Sequence, residues 1–314
     1  MTKPILVTGA GGFLGSHIAR YLGGRGHKIV AVGRLNTTPD VTSCYPNLVK
    51  ICGMTLPDAR FADVVKECQP QLLVHCAGTA SVADSVDDPY GDFQKTVEVC
   101  AFALETVRKH APDCRFVQLS SAAVYGNPPQ LPIPESIPCK PVSPYGYHKL
   151  MCEALVEEYN QLHGLNTTIL RIFSAYGERL AKQVVFDLCR KFSDTSSEIV
   201  EVFGTGRETR DFIHATDVAR AIECIYESGS NGIFNVASGS QTSVDQLAQL
   251  LKIIFSNNKV VSYTQSTRIG DPICWQADIT KLQSLGFLPA VEFEAGIKQY
   301  VQWFQSNIKE CNVS

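Results

Sequence analysis

The chain has 314 residues, 45% of them hydrophobic, and a formal net charge of -3. That length allows one large domain or two modest ones around a buried core, and the near-neutral charge excludes the basic footprint of a nucleic-acid or membrane-surface protein. No run approaches the roughly 18 apolar residues of a membrane span, and the short apolar stretch at Ile5 to Val7 is no signal-peptide core, so a cytoplasmic protein is expected.

Twelve cysteines are present, none in a Cys-x-x-Cys pair, and the closest lie eight residues apart (Cys44 to Cys52, Cys68 to Cys76). This spacing argues against a zinc ribbon or a thioredoxin-like site. It leaves reduced, mostly buried thiols, with no metal centre expected.

In chain order, β-rich runs at Pro4–Thr8, Lys28–Val32, Leu48–Cys52, Leu72–Cys76, Arg115–Ser121 and Thr167–Ile172 predict strands. Amphipathic stretches at Phe13–Gly23, Ala59–Cys68, Asp92–His110 and Pro144–His163 predict helices between them. The alternation predicts an α/β fold, a Rossmann-type doubly wound parallel sheet. After about Phe173 the pattern loosens. Gly232–Val236 predicts one more strand returning to the main sheet, and Ser243-Val244-Asp245-Gln246 reads as a capping box before an apolar helix. Residues 1–173 with about 211–237 are expected to form the dinucleotide-binding domain. Residues 174–210 and 238–314 are expected to form a smaller, discontinuous substrate-binding lobe.

The first strand runs into Gly9-Ala10-Gly11-Gly12-Phe13-Leu14-Gly15, with glycines spaced Gly-x-x-Gly-x-x-Gly ahead of a helix. Such a turn lets the backbone approach a pyrophosphate, and the helix start favours the anion. Gly9, Gly11, Gly12, Phe13, Leu14 and Gly15 are therefore candidate cofactor contacts. Where an acid would hold the ribose hydroxyls, the second strand ends Val32-Gly33-Arg34. An arginine suits a 2'-phosphate, so NADP(H) is favoured and NAD(H) is possible. Ala77 and Gly78, small residues after the fourth strand, allow the backbone to pass close to the cofactor. His75 beside them fits a structural role better than proton transfer.

Tyr145 and Lys149 lie four residues apart on a predicted helix and share a face. A phenol titrates near pH ~10, and a neighbouring ammonium favours its ionised form. Tyr145 can then exchange the proton of a substrate hydroxyl, with Ser121, at a strand end, bonding the same oxygen.

Together these segments resemble the extended short-chain dehydrogenase/reductases acting on nucleotide sugars, nearly end to end. Thr8 to Gly15 resembles the cofactor loop, Ser120 to Gly126 the serine strand, and Ser143 to Lys149 the Tyr-x-x-x-Lys helix. Gly204 to His214 and Arg268 to Pro272 resemble the segments that hold the substrate diphosphate and nucleotide. The resemblance implies a catalytic set of Ser121, Tyr145 and Lys149, and substrate contacts at Ser81, Ser174, Arg210, Arg268, Asp271 and Trp275. It implies a nucleotide-sugar substrate and a homodimer formed through the helices Asp92–His110 and Pro144–His163. The first of these carries Val97, Val99, Phe102, Ala103, Leu104 and Val107, more apolar residues than one face needs.

Dehydratases of this family carry Thr-Asp-Glu where this chain has Ser121-Ala122-Ala123, and two alanines supply neither acid nor base. A 4,6-dehydratase is thereby excluded. Arg34 tilts the expectation toward an NADPH-dependent 4-ketoreductase of an NDP-4-keto-6-deoxyhexose. An NDP-hexose 4-epimerase is the alternative, and a non-catalytic NADP-binding sensor a third. Met54, Thr96 and Ser174 depart from the acid or asparagines usual in the family. Trp275 either narrows the sugar pocket against an N-acetyl group or packs between lobes.

Overall fold

The computed structural model describes residues 3–35, 45–266 and 273–311. Ile5–Thr8 (β1) opens the sheet, and Phe13–Gly24 (α1) follows the glycine turn. Next come Ile29–Gly33 (β2), Leu48–Gly53 (β3), Arg60–Cys68 (α2) and Leu72–His75 (β4). Alternate side chains of β1 leave the sheet on opposite sides, as a pleated strand requires. Ile5 and Val7 join a core roofed by α1, while Leu6 joins the core on the other face.

Beyond β4 lie Val82–Asp87 (α3), Pro89–Phe93 (α4), a π turn at Gln94–Glu98 and Val99–His110 (α5). The single helix expected over Asp92–His110 thus starts earlier, where Asp88 caps the Gly91 amide at 2.9 Å, and is interrupted by the π turn. The wider turn alters the backbone hydrogen bonding, and the Thr96 carbonyl receives the Cys152 thiol at 3.7 Å.

Arg115–Ser121 (β5), Pro144–His163 (α6) and Thr167–Ile172 (β6) match their expected bounds. Ser174–Tyr176 (β7), Gln183–Ser193 (α7) and Ile199–Val202 (β8) come next. Thr209–Arg210 (β9), Phe212–His214 (β10) and Ala215–Ser228 (α8) lead to Gly232–Val236 (β11). The chain finishes with Thr242–Ser243 (β12), Val244–Ile254 (α9), Val260–Tyr263 (β13), Thr280–Gln283 (α10) and Phe293–Cys311 (α11).

The main sheet has seven strands in the order β11-β6-β5-β4-β1-β2-β3, and every ladder in it is parallel. The order reverses between β1 and β4, and ligands of such sheets bind outside the strand carboxyl ends at that point. Val218, Ile222 and Ile225 bury α8 against the α1 side of the sheet, a helix the sequence pattern did not reveal. A third core gathers Leu188, Phe192, Val202, Leu247, Tyr300 and Phe304 beside the cleft. There the expected capping box holds α9: Ser243 accepts from the Gln246 amide at 3.0 Å and donates its own amide to the Gln246 side chain at 2.7 Å.

Candidate active site

The glycine turn is built for a close ligand. Gly9 adopts φ +65°, and a side chain there would meet the Cys76–Ala77 backbone at 2.8 Å. At Gly15 a Cβ would lie 2.2 Å from the Gly9 carbonyl. Gly12 begins α1 with no side-chain cap, which leaves its first amides to a ligand. Gly11, Phe13 and Leu14 line the same cleft, with Ala77 and Gly78 opposite. The residues present therefore fit the pyrophosphate of a dinucleotide. Arg34 is exposed at the rim beyond β2, and Met54 is buried next to it with its amide on the Gly33 carbonyl at 3.1 Å.

Ser143 caps α6 by accepting from the Gly146 amide at 3.2 Å, and Pro144 occupies the first turn. This cap puts Tyr145 at the mouth of the cleft and Lys149 one turn deeper. The Lys149 ammonium sits 5.6 Å from the centre of the Tyr145 ring and donates to the Leu119 carbonyl at 3.2 Å. Ser121 ends β5, and its hydroxyl oxygen accepts the Ala123 amide at 3.2 Å. With that acceptor position used, the O–H remains available to donate into the cleft. Ser121, Tyr145 and Lys149 all line it.

A buried network backs this serine. Ser120 donates to Glu153 at 2.5 Å, Glu153 pairs with Arg171 at 2.7 Å, and Arg171 donates to the Tyr125 hydroxyl at 3.0 Å. Tyr125 passes its proton on to Asn235 at 2.7 Å. Nothing in local sequence pattern links these positions, because their elements meet only in the packed sheet.

The substrate-side candidates divide. Ser81 caps α3 by accepting from the Asp84 amide at 3.2 Å and lines the cleft. Ser174 lines it from β7, with its amide on the Asp211 carbonyl at 3.0 Å. The Arg210 guanidinium lies 6.0 Å over the Trp275 ring. Trp275 donates its indole N–H to the Gly126 carbonyl at 3.1 Å and meets Phe173 edge-on at 5.9 Å. It both packs and lines the cleft. Arg268 and Asp271 lie outside the described residues.

Sequence reasoning missed Phe173, Leu180 and Lys182 on the cleft wall. Asp211 is buried and accepts from the Ser238 amide and hydroxyl, the Gly239 amide and the Ala277 amide at 2.7 to 3.1 Å. Burial pushes its carboxyl up to about 6. The cleft encloses about 1860 Å³. Pockets for one small ligand run to roughly 300–1,000 Å³, so there is room for a dinucleotide and a second ligand.

A glycine-turn Rossmann sheet with a serine, tyrosine and lysine at one cleft defines an enzyme of the extended short-chain dehydrogenase/reductase type. The chain belongs to the NAD dependent epimerase/dehydratase family, whose model matches residues 5–237. A relative from Methanocaldococcus jannaschii, assigned provisionally as a UDP-glucose 4-epimerase, is 32% identical over 307 residues, which cover 96% of this chain and 99% of the relative. The UDP-glucose 4-epimerase of Thermotoga maritima, solved with UDP-glucose, superposes with a TM-score of 0.86 at 30% identity over 97% of this chain and 99% of that one. The Thermus thermophilus UDP-glucose 4-epimerase, solved with NAD, gives a TM-score of 0.85 at 28% identity, covering 96% and 99%. Membership makes the protein an enzyme of the NAD dependent epimerase/dehydratase class.

Proposed function

We propose that the protein is an NAD-dependent 4-epimerase of a UDP-hexose. One observation carries the reading: Ser121, Tyr145 and Lys149 border one cleft, while Ala122 and Ala123 beside them offer neither acid nor base for eliminating water. The reductase that Arg34 suggested is less well supported. Arg34 stands exposed at the rim, and a solved relative carries NAD. The order of preference between reductase and epimerase is therefore reversed, and NAD replaces NADP as the favoured cofactor.

Tyr145 takes the proton of the C4 hydroxyl and later returns it. Ser121 donates to the same oxygen as charge develops on it. Lys149, held by the Leu119 carbonyl, keeps a positive charge beneath the phenol. The bound nicotinamide supplies a reversible hydride acceptor for C4. Gly9, Gly11, Gly12 and Gly15 would hold its pyrophosphate, with Ala77 and Gly78 along the opposite wall. Ser81, Ser174, Arg210 and Trp275 would surround the nucleotide sugar. The lobe of residues 174–210 and 238–314 is read as the substrate-binding part.

A second copy is read as the partner, through the expected helix Pro144–His163 rather than through the apolar residues named on the first helix. Val97, Val99, Ala103, Leu104 and Val107 are consumed by the protein's own core. Tyr90, Tyr147 and Met151 instead stand exposed on and beside α6. A monomeric mass by light scattering at micromolar concentration would remove the dimer.

The deciding experiment is to denature freshly purified protein, identify the released dinucleotide, and assay interconversion of UDP-glucose and UDP-galactose. Stoichiometric NAD with interconversion supports the epimerase. An empty protein that binds NADPH far more tightly than NADH restores the reductase.

A further inference from the structure

A group of buried polar side chains lies directly behind the cleft wall formed by Ala77, Gly78, Thr79, Ala80 and Ser81. Asp92, on α4, has a side chain only 3% exposed. Its carboxylate accepts from the Thr79 hydroxyl on one oxygen and pairs with His148 Nδ1 at 2.5 Å on the other. The Thr79 hydroxyl also meets the Thr96 hydroxyl at 2.9 Å, and the Thr79 amide donates to Thr96 at 3.4 Å.

The direction of these bonds is forced. Thr79 gives its single hydroxyl proton to Asp92, so Thr96 must donate to Thr79. His148 donates from Nδ1. The cluster thereby joins the cleft wall, the π turn and α6, the helix that carries Tyr145 and Lys149. A π turn inside a helix often marks a functional position, and this one puts Thr96 within 3.8 Å of a Cβ built at Gly78.

The same wall has a second tether. The Ser85 hydroxyl accepts the backbone amide of Tyr145 itself at 3.0 Å. Ser81 therefore lies between two attachments to α6, one through Thr79 and Asp92 to His148, the other through Ser85 to Tyr145. Between them the attachments grip α6 across the single turn that presents the tyrosine.

We propose that Thr79, Asp92 and His148 are positioning residues for the sugar chemistry, a clamp that sets the wall from Ala77 to Ser81 at a fixed distance from Tyr145. A group misplaced by about 1 Å can cost on the order of 100-fold in rate without loosening binding equally. The clamp acts through Tyr145 and the wall, and none of its members needs to touch the reacting atoms. This inference rests on the cleft being the site read above as an epimerase.

The test compares Thr79→Val, which keeps shape and removes the hydroxyl, with Thr79→Ser, which restores it, and with Asp92→Asn. Steady-state kinetics on UDP-glucose give kcat and KM, and absorbance at 340 nm gives the fraction of bound NADH during turnover. Amide exchange over residues 77–85 is read on the same proteins. Thr79→Val is expected to lower kcat at least tenfold, to change KM about twofold or less, and to raise exchange over 77–85 but not in α9. Thr79→Ser should return kcat to within about twofold of the native value. A folded Thr79→Val protein with native kcat, NADH fraction and exchange overturns the clamp, as does a loss that Thr79→Ser fails to rescue. If the native protein itself turns over no UDP-sugar, the epimerase reading fails, and exchange over 77–85 still decides for or against the clamp.

Discussion

The Thr8 hydroxyl donates to Nδ1 of His75 across 2.9 Å. Its direction follows from its other contacts: the Thr8 oxygen already accepts the Cys76 amide at 3.2 Å and the Ala77 amide at 3.3 Å. His75 is therefore the neutral tautomer with its proton on Nε2, which faces the interior with no partner among the described residues. The histidine beside the cofactor turn is a core strut, as the sequence suggested. Its hydroxyl partner holds the strand end over which the dinucleotide would lie.

Burial makes that strut sensitive to acid. Desolvation, with Lys149 nearby, holds His75 down to about 3, and burial holds His17 down to about 4. In the unfolded chain both titrate near 6.5, so at intermediate pH the unfolded state binds more protons. Their stabilisation is complete above pH 6.5 and is lost as pH falls toward those lower values. Each contributes up to about 1.4 kcal/mol per pH unit in that window. The melting temperature is expected to fall between pH 7 and pH 5, and His17→Gln should flatten the profile. A native profile already flat over this range would contradict the assignment.

Removing the phenol tests the proton carrier. Tyr145→Phe should lower kcat by roughly 100- to 10,000-fold, the range of a general acid–base group, with little change in nucleotide-sugar affinity. Calorimetric titration with UDP-glucose separates the two effects. Near-native turnover would leave the Rossmann cleft as a binding site only.

Arg34 offers a test of the cofactor. Because it is exposed at the rim, Arg34→Ala should change NAD affinity by less than about twofold, since no phosphate pair is lost. A tenfold or greater loss of NADPH affinity, with NADPH the tighter ligand in the native protein, would favour the 2'-phosphate role.

Trp275 tests sugar selectivity. Its indole is pinned by Gly126 and Phe173, so it yields little room. Trp275→Ala should raise turnover of UDP-N-acetylhexoses relative to UDP-hexoses by about tenfold, equivalent to ~1.4 kcal/mol. Unchanged selectivity would reduce Trp275 to packing.

The pair Glu153–Arg171 supports the serine strand from inside. Arg171→Met leaves a buried carboxylate unpaired, which costs about 3–5 kcal/mol. Urea unfolding should show the loss in midpoint, and Ser121-dependent turnover should fall with it.

The strand and helix order, the glycine turn and the Tyr145–Lys149 face were legible in the sequence because each depends on neighbours a few residues away. Alternation, caps and a four-residue helical repeat act locally. The break at Gln94–Glu98 escaped because a π turn keeps helical composition and is favoured here by a contact from Cys152 on another helix. Of the later helices only α9 was announced, by its local capping box; α7, α8 and α11 escaped because their apolar faces have meaning only against cores that exist after packing. Only the tertiary structure joined Asp92 to His148, Ser120 to Glu153 and Arg210 to Trp275. Those pairs lie tens of residues apart in the chain, and their energies arise from burial that exists only after the sheet and helices have packed. The sequence by itself determined which residues could do the chemistry; packing decided which of them face one another across the cleft.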